Sequence, residues 1–144
     1  MKEDSIKKEF LVPSDLSLVQ KFSADVLSFL GPLKLDGGIV FDVKLCLEEA
    51  LINAMKYGHK LQKELKVRLG VEYNEREVRI SIEDQGEGFD PGKLVCCTES
   101  ANLLKSRGRG VHLIRQLMDE VYYNKKGNAI LMVKRLKREA GNRS

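Results

Sequence analysis

Three short stretches of this sequence hold residues whose types and spacing could do chemistry. The first is Glu49 and Asn53. On a helix, residues four apart are rotated by roughly 40° and lie about 6 Å apart along the axis, so the two share one face. An amide offers Mg²⁺ a neutral oxygen while the ion keeps water and phosphate oxygens. A carboxylate one turn earlier can accept a proton from a hydroxyl or a water. The plain alternative is an exposed acidic stripe with Glu48, and for this pair taken alone it is the better reading. The second stretch is Asp84-x-Gly86-x-Gly88, directly after a strand-like run. Its carboxylate could read an exocyclic amine such as that of adenine, and its glycines let backbone approach a flat ring. A strand-ending turn explains the same residues equally well. The third is Gly108-Arg109-Gly110, after a loop rich in Ser, Lys and Arg. A glycine-rich helix start presents free N–H groups and the positive dipole end to a phosphate, and Lys105, Arg107 and Arg109 add charge. A lone Gly-x-Gly is weak by itself; neither a P-loop nor the full dinucleotide pattern is present.

These stretches need elements to position them. Ile6–Val12 reads as a strand ended by Pro13. Ser14 fits a helix N-cap, and Leu16, Val19, Phe22, Val26, Phe29 and Leu30 recur at helical spacing up to Gly31-Pro32. Gly37-Gly38 opens a second helix, with Ile39, Val43, Cys46, Leu47, Ala50, Leu51 and Ala54 on its apolar stripe. It runs to about Tyr57, and Gly58 suits its stop. Leu65–Tyr73 and Val78–Glu83 alternate strictly across the turn Asn74–Glu77, which predicts an antiparallel hairpin. Asp84 would then end in a pocket at the sheet edge. From Gly92 to Arg107 the pattern is weak and reads as a mobile loop. Gly108–Met118 is helical, and Val121–Tyr123 and Ala129–Val133 form a last hairpin across Lys125–Asn128. Hairpins with segregated helices predict an α+β fold: a two-layer α/β sandwich whose mixed, mostly antiparallel sheet is covered on one face by helices. A parallel dinucleotide-binding sheet would need strands alternating with helices.

The 144 residues suggest one domain, 1–144, long enough to bury a core around a sheet. Hydrophobic residues at 42% and charged residues at 32% exclude a disordered chain. No apolar run approaches a membrane span and the N-terminus lacks a signal-peptide core, so a cytoplasmic protein is expected. The net charge of +4 comes largely from Lys134, Arg135, Lys137, Arg138 and Arg143, which read as a solvated, frayed tail rather than a nucleic-acid stripe. Cys46, Cys96 and Cys97 make no disulfide framework and have no histidine cluster for zinc. Cys46 falls on the apolar stripe, and the adjacent pair reads as loop thiols.

Order and spacing join the three stretches, Leu45–Gly58, Glu83–Phe89 and Arg107–Leu117, into one set of parts that an ATP site needs. From Leu45 onward the chain resembles the Bergerat ATP-binding fold shared by gyrase, histidine kinases, the heat-shock chaperone and mismatch-repair ATPases. Within it, the chain is most similar to the small bacterial anti-sigma factors that are serine protein kinases. Glu49-Ala50-Leu51-Ile52-Asn53-Ala54 resembles their N box, Asp84–Asp90 their first glycine box and Gly108–Val121 their second. Gly127–Leu136 resembles their last strand. The resemblance implies ATP and Mg²⁺ as cofactors, with Glu49 as general base, Asn53 as Mg²⁺ ligand and Asp84 as adenine reader. It also implies nucleotide contacts from Gly86, Gly88, Arg107, Gly108, Arg109, Gly110, Val111 and Asn128, with Gly92–Arg107 as a lid. Asn128 stands where many members carry Thr, and Tyr57 where many carry His.

The implied activity is transfer of the γ-phosphoryl group to a serine of an anti-sigma antagonist protein. The implied partners are that antagonist and an RNA polymerase sigma factor, with no direct nucleic-acid or membrane contact. Members of the family tend to form homodimers, and the first strand and helix offer candidate surface. An alternative is an ATP-gated binding module without kinase activity. A sensor histidine kinase fits less well, because neither His59 nor His112 lies on a phosphoacceptor hairpin.

Overall fold

The computed structural model describes residues 5–58, 64–85, 112–124 and 128–136, with the backbone alone at 57 and 58. Strand β1 is Ile6–Pro13, followed by a 3-10 turn Leu16–Leu18 and helix α1, Val19–Phe29. A second 3-10 turn, Gly31–Leu33, leads to helix α2, Gly37–Asn53, which continues into a π-helical turn at Ala54–Gly58. Strands β2, Lys66–Tyr73, and β3, Glu77–Glu83, form the expected hairpin. Residues 112–117 are helical (α3), and β4, Glu120–Tyr123, pairs with β5, Ala129–Arg135.

The five strands form one sheet in the order β1-β2-β3-β5-β4. All four pairings are antiparallel, so the mixed sheet expected from the sequence has no parallel pair among the described residues. Strand β3 is therefore central, and Asp84 at its end lies away from the lateral edges. The expected pocket is there, at the end of the strands rather than along a lateral edge, with Lys66, Arg68, Asp84, Gln85 and Asn128 in its lining. The order follows from β5 entering between β3 and β4, with Ile80 opposite Met132 and Tyr122 opposite Leu131.

Alternation decides which face the helices cover. Val67, Leu69, Val71 and Tyr73 of β2 and Val78, Ile80 and Ile82 of β3 are buried, and they share one core with Val43, Cys46, Leu47, Ala50 and Leu51 of α2. Fully burying a side chain such as Leu47 or Leu69 stabilises the fold by about 2 kcal/mol. Helix α1 joins through Val19 and Val26. Edge-to-face contacts of Phe10 with Phe22 and of Phe29 with Tyr73, at centroid separations of 6.2 and 5.2 Å, bind it to the sheet. Helix α3 enters through Ile114, and Met118, just past its end, follows into the core with its N–H donating to the Ile114 carbonyl at 2.9 Å. The opposite sheet face carries charges, with Arg68 within 3.7 Å of Glu9 and 3.6 Å of Glu83 across the strands.

Two local expectations are corrected. Ser14 does not cap the first helix: it is buried, its N–H donates to the Leu65 carbonyl at 3.1 Å, and its Oγ has no partner among the described residues. Asp15 caps the 3-10 turn that precedes α1, its Oδ1 accepting from the Ser17 N–H at 3.0 Å, and α1 itself begins after Leu18 without a side-chain cap bond. A carboxylate fills the same role as a hydroxyl, so sequence preference did not separate the neighbours. Asp36 caps α2 likewise, accepting from the Ile39 N–H at 2.9 Å. Nor do Lys134 and Arg135 belong to a frayed tail. Both lie in β5, and Lys134 is only 14% exposed.

Candidate functional site

Helix α2 carries the first pair. Cys46, Leu47, Ala50 and Leu51 turn into the core, which leaves Glu49 and Asn53 on a half-buried flank. Neither side chain has a hydrogen-bond partner among the described residues. Glu48, rotated by about 100° from Glu49, turns elsewhere: it accepts from Lys44 Nζ at 2.7 Å and from Gln20 of α1 at 3.4 Å. The exposed acidic stripe considered above is thus absent, since Glu48 is tied down and both carboxylates are partly buried. The α-helical hydrogen-bonding pattern ends at Asn53 and widens to the π form from Ala54, a change often found at functional positions.

Burial raises the Cys46 thiol pKa to about 12, and the nearby carboxylates of Asp42 and Glu49 push the same way against Lys134. Cys46 is therefore a neutral core residue at physiological pH, and Glu49 is close enough for its charge to be felt there.

Asp84 sits just past β3, 8% exposed, the one buried carboxylate among the described residues. It continues the alternation of Ile80 and Ile82, on the side of the sheet that the helices cover. Its backbone is fixed by Asn128 twice over. The Asp84 N–H donates to the Asn128 carbonyl at 2.9 Å, and the Asn128 amide donates to the Asp84 carbonyl at 2.8 Å. Asn128 is itself held by Asn124, whose Oδ1 accepts from the Asn128 N–H at 3.1 Å and whose amide donates to Asn128 Oδ1 at 2.8 Å. Gln85 anchors the next position, accepting from the Lys66 N–H at 3.0 Å. Together these bonds set a buried carboxylate at the end of the central strand.

The structure brings Asp84 and Asn128 into direct contact and puts Glu49 with Asn53 on one helix of the layer that covers the sheet. Gly86, Gly88, Arg107, Gly108, Arg109, Gly110 and Val111 lie outside the described residues, as do Cys96, Cys97, His59 and the expected lid. His112 opens the described part of α3 and is exposed. A coupled pair missed by the sequence reading is Asp42 with Lys134, 3.1 Å apart. Strand alternation through Ile130, Met132 and Lys134 was the signal for it. No cluster of three His, Cys, Asp or Glu occurs among the described residues.

The fold and this arrangement define a class. Residues 12–134 match the histidine kinase-like ATPase domain, and the chain belongs to that family. Among its relatives, the protein named serine-protein kinase RsbW from Staphylococcus epidermidis is 36% identical over 106 residues, covering 68% of this chain and 67% of that protein. The serine-protein kinase RsbW of Staphylococcus aureus is 32% identical over 149 aligned positions, covering 96% of this chain and 91% of that one.

Proposed function

We propose that this chain is an ATP-binding anti-sigma factor with serine protein kinase activity, which transfers a phosphoryl group to a serine of an anti-sigma antagonist protein. The observation that carries the reading is similarity along nearly the whole chain to proteins named as serine kinases. Asp84, buried and held through its backbone, serves as acceptor for the adenine amine. Asn128 fixes the Asp84 backbone, and Gly86 and Gly88 leave room for the ring. Arg107, Gly108, Arg109, Gly110 and Val111 hold the phosphates with backbone N–H groups and charge. Asn53 offers its amide oxygen to Mg²⁺, which when bound supplies neutralisation of phosphate charge.

Glu49, one turn from Asn53 and without a protein partner among the described residues, takes the proton of the attacking serine hydroxyl. Little more is required, because phosphoryl transfer depends mainly on positioning and charge stabilisation. One domain spanning residues 1–144 acts in the cytoplasm, as a homodimer, with the antagonist as substrate and a sigma factor as the held partner. No helix among the described residues is long and apolar enough to cross a membrane.

The test is incubation with labelled ATP, Mg²⁺ and candidate antagonist proteins. Label on an antagonist serine is expected, and Glu49→Gln should lower transfer by about 10²–10⁴-fold while nucleotide affinity is largely kept. Normal transfer by that variant would remove Glu49 from the role of base. Tight ATP binding without transfer to any antagonist would favour a gated binding module instead.

A further inference from the structure

Lys134 is a charged residue on the core side of a strand. In β5, Ile130 and Met132 enter the core, and the next residue of that face is Lys134. Its ammonium donates to Asp42 Oδ2 on α2 at 3.1 Å and to the backbone carbonyl of Leu117 at 2.7 Å. The two side chains are 14% and 25% exposed. Leu117 ends the helical run 112–117, so its carbonyl is one of those that a helix C-terminus leaves without a partner. A cation there also faces the negative end of the helix dipole. The neighbours of Lys134 hold the same exit. Val133 accepts from the Asp119 N–H at 2.9 Å, and the Arg135 N–H donates to Asp119 Oδ2 at 2.5 Å. Of these three consecutive residues, Lys134 is the one that also reaches α2, about two turns before Glu49.

We propose that Lys134 is a positioning residue for the phosphates of the nucleotide: by joining Asp42 of α2 to the Leu117 carbonyl, it fixes the helix bearing Glu49 and Asn53 against α3. An apolar side chain would suit a core-facing position at least as well for stability, since a partly buried ion pair loses much of its attraction to desolvation. What the ammonium adds is a defined distance between two helices. The inference rests on the function proposed above.

The test is Lys134→Met, which keeps much of the stem, compared with Lys134→Arg and Asp42→Asn. Affinities for ATP and AMP are measured by calorimetry and competition, beside the thermal midpoint of each free protein. ATP affinity should fall about tenfold in Lys134→Met and AMP affinity by less than about twofold, a size typical of coupling through contiguous contacts. Lys134→Arg should restore most of the loss, and Asp42→Asn should lie between. A lower midpoint with the wild-type ratio of ATP to AMP affinity would make Lys134 merely structural and overturn the proposal. If Lys134→Met does not fold, the same ratio in Asp42→Asn decides. Wild-type protein that binds no ATP would overturn the proposed function and this inference together; wild-type binding with an unchanged ratio in the variants would overturn this inference alone.

Discussion

Replacing Asn128 tests how the end of the central strand is held. Asn128→Ala removes the amide that donates to the Asp84 carbonyl at 2.8 Å in a partly buried setting. It also removes the acceptor used by the Asn124 amide, a bond that is exposed. Water replaces the second at almost no cost. The first leaves a carbonyl without its side-chain donor, a loss of about 1–2 kcal/mol. For a chain of this size that lowers the thermal midpoint by roughly 3–8 °C. The backbone bond from Asp84 to Asn128 is kept, so the strand pairing survives and only the side-chain contribution is read. Asn128→Asp should cost more than Asn128→Ala, because it turns a carboxylate oxygen toward the Asp84 carbonyl. Urea unfolding at unchanged slope gives the stability difference, and ATP titration shows whether loosening the Asp84 backbone weakens binding. If both variants unfold at the wild-type midpoint, the amide contact does not hold this turn, and the account of how Asp84 is set is wrong.

Other outcomes follow from the same geometry. Leu47→Ala, at a fully buried position of α2, should cost about 2–5 kcal/mol by chemical denaturation. The raised Cys46 pKa makes the folded state hold a proton that the unfolded chain releases. Its contribution to stability is therefore complete below pH 9.0 and is lost as pH rises towards about 12. Comparing alkaline melts of wild type and Cys46→Ala should reveal that slope, and Cys46 should resist thiol reagents until the protein unfolds. A Cβ on Gly70 would lie 2.8 Å from Ser81 Oγ, the end of an exposed side chain that can turn away, so Gly70→Ala should cost little, and less still beside Ser81→Ala. A denaturation cycle over the two positions measures that relief.

Much of the fold was legible because its signals are local. Alternation through Val67, Leu69 and Val71 and again through Val78, Ile80 and Ile82 marked the hairpin, and the apolar stripe from Val43 to Leu51 marked α2. Strand order was not legible, since nothing near Ala129–Arg135 states that β5 enters between β3 and β4. For that reason the sequence did not show that the strand leading to Asp84 is the central one. Asp15 and Ser14 are adjacent potential caps with similar preferences, so backbone direction had to decide between them. Lys134 was misread from composition, because a run of basic residues suggests a tail until strand parity is followed through it. At the site, the spacing of Glu49 and Asn53 was readable. The link from Asp84 to Asn128 joins residues far apart in sequence, with no local trace.

The place of β5 also governs the order in which the molecule can be completed during synthesis. Strand β5 leaves the ribosome after the other four described strands, yet it occupies an interior position and pairs with both β3 and β4. Until it emerges, β3 presents a bare edge beside apolar side chains, and β4, only four residues long, has no strand to lie against. Antiparallel pairing across this span requires closing a long loop, which is slow relative to local hairpin formation. The nascent chain therefore holds β1, β2 and β3 as an unfinished sheet exposed to association with other chains. Asp84 acquires its fixed backbone only when Asn128 arrives, so this end of the central strand takes shape after β4 has been made.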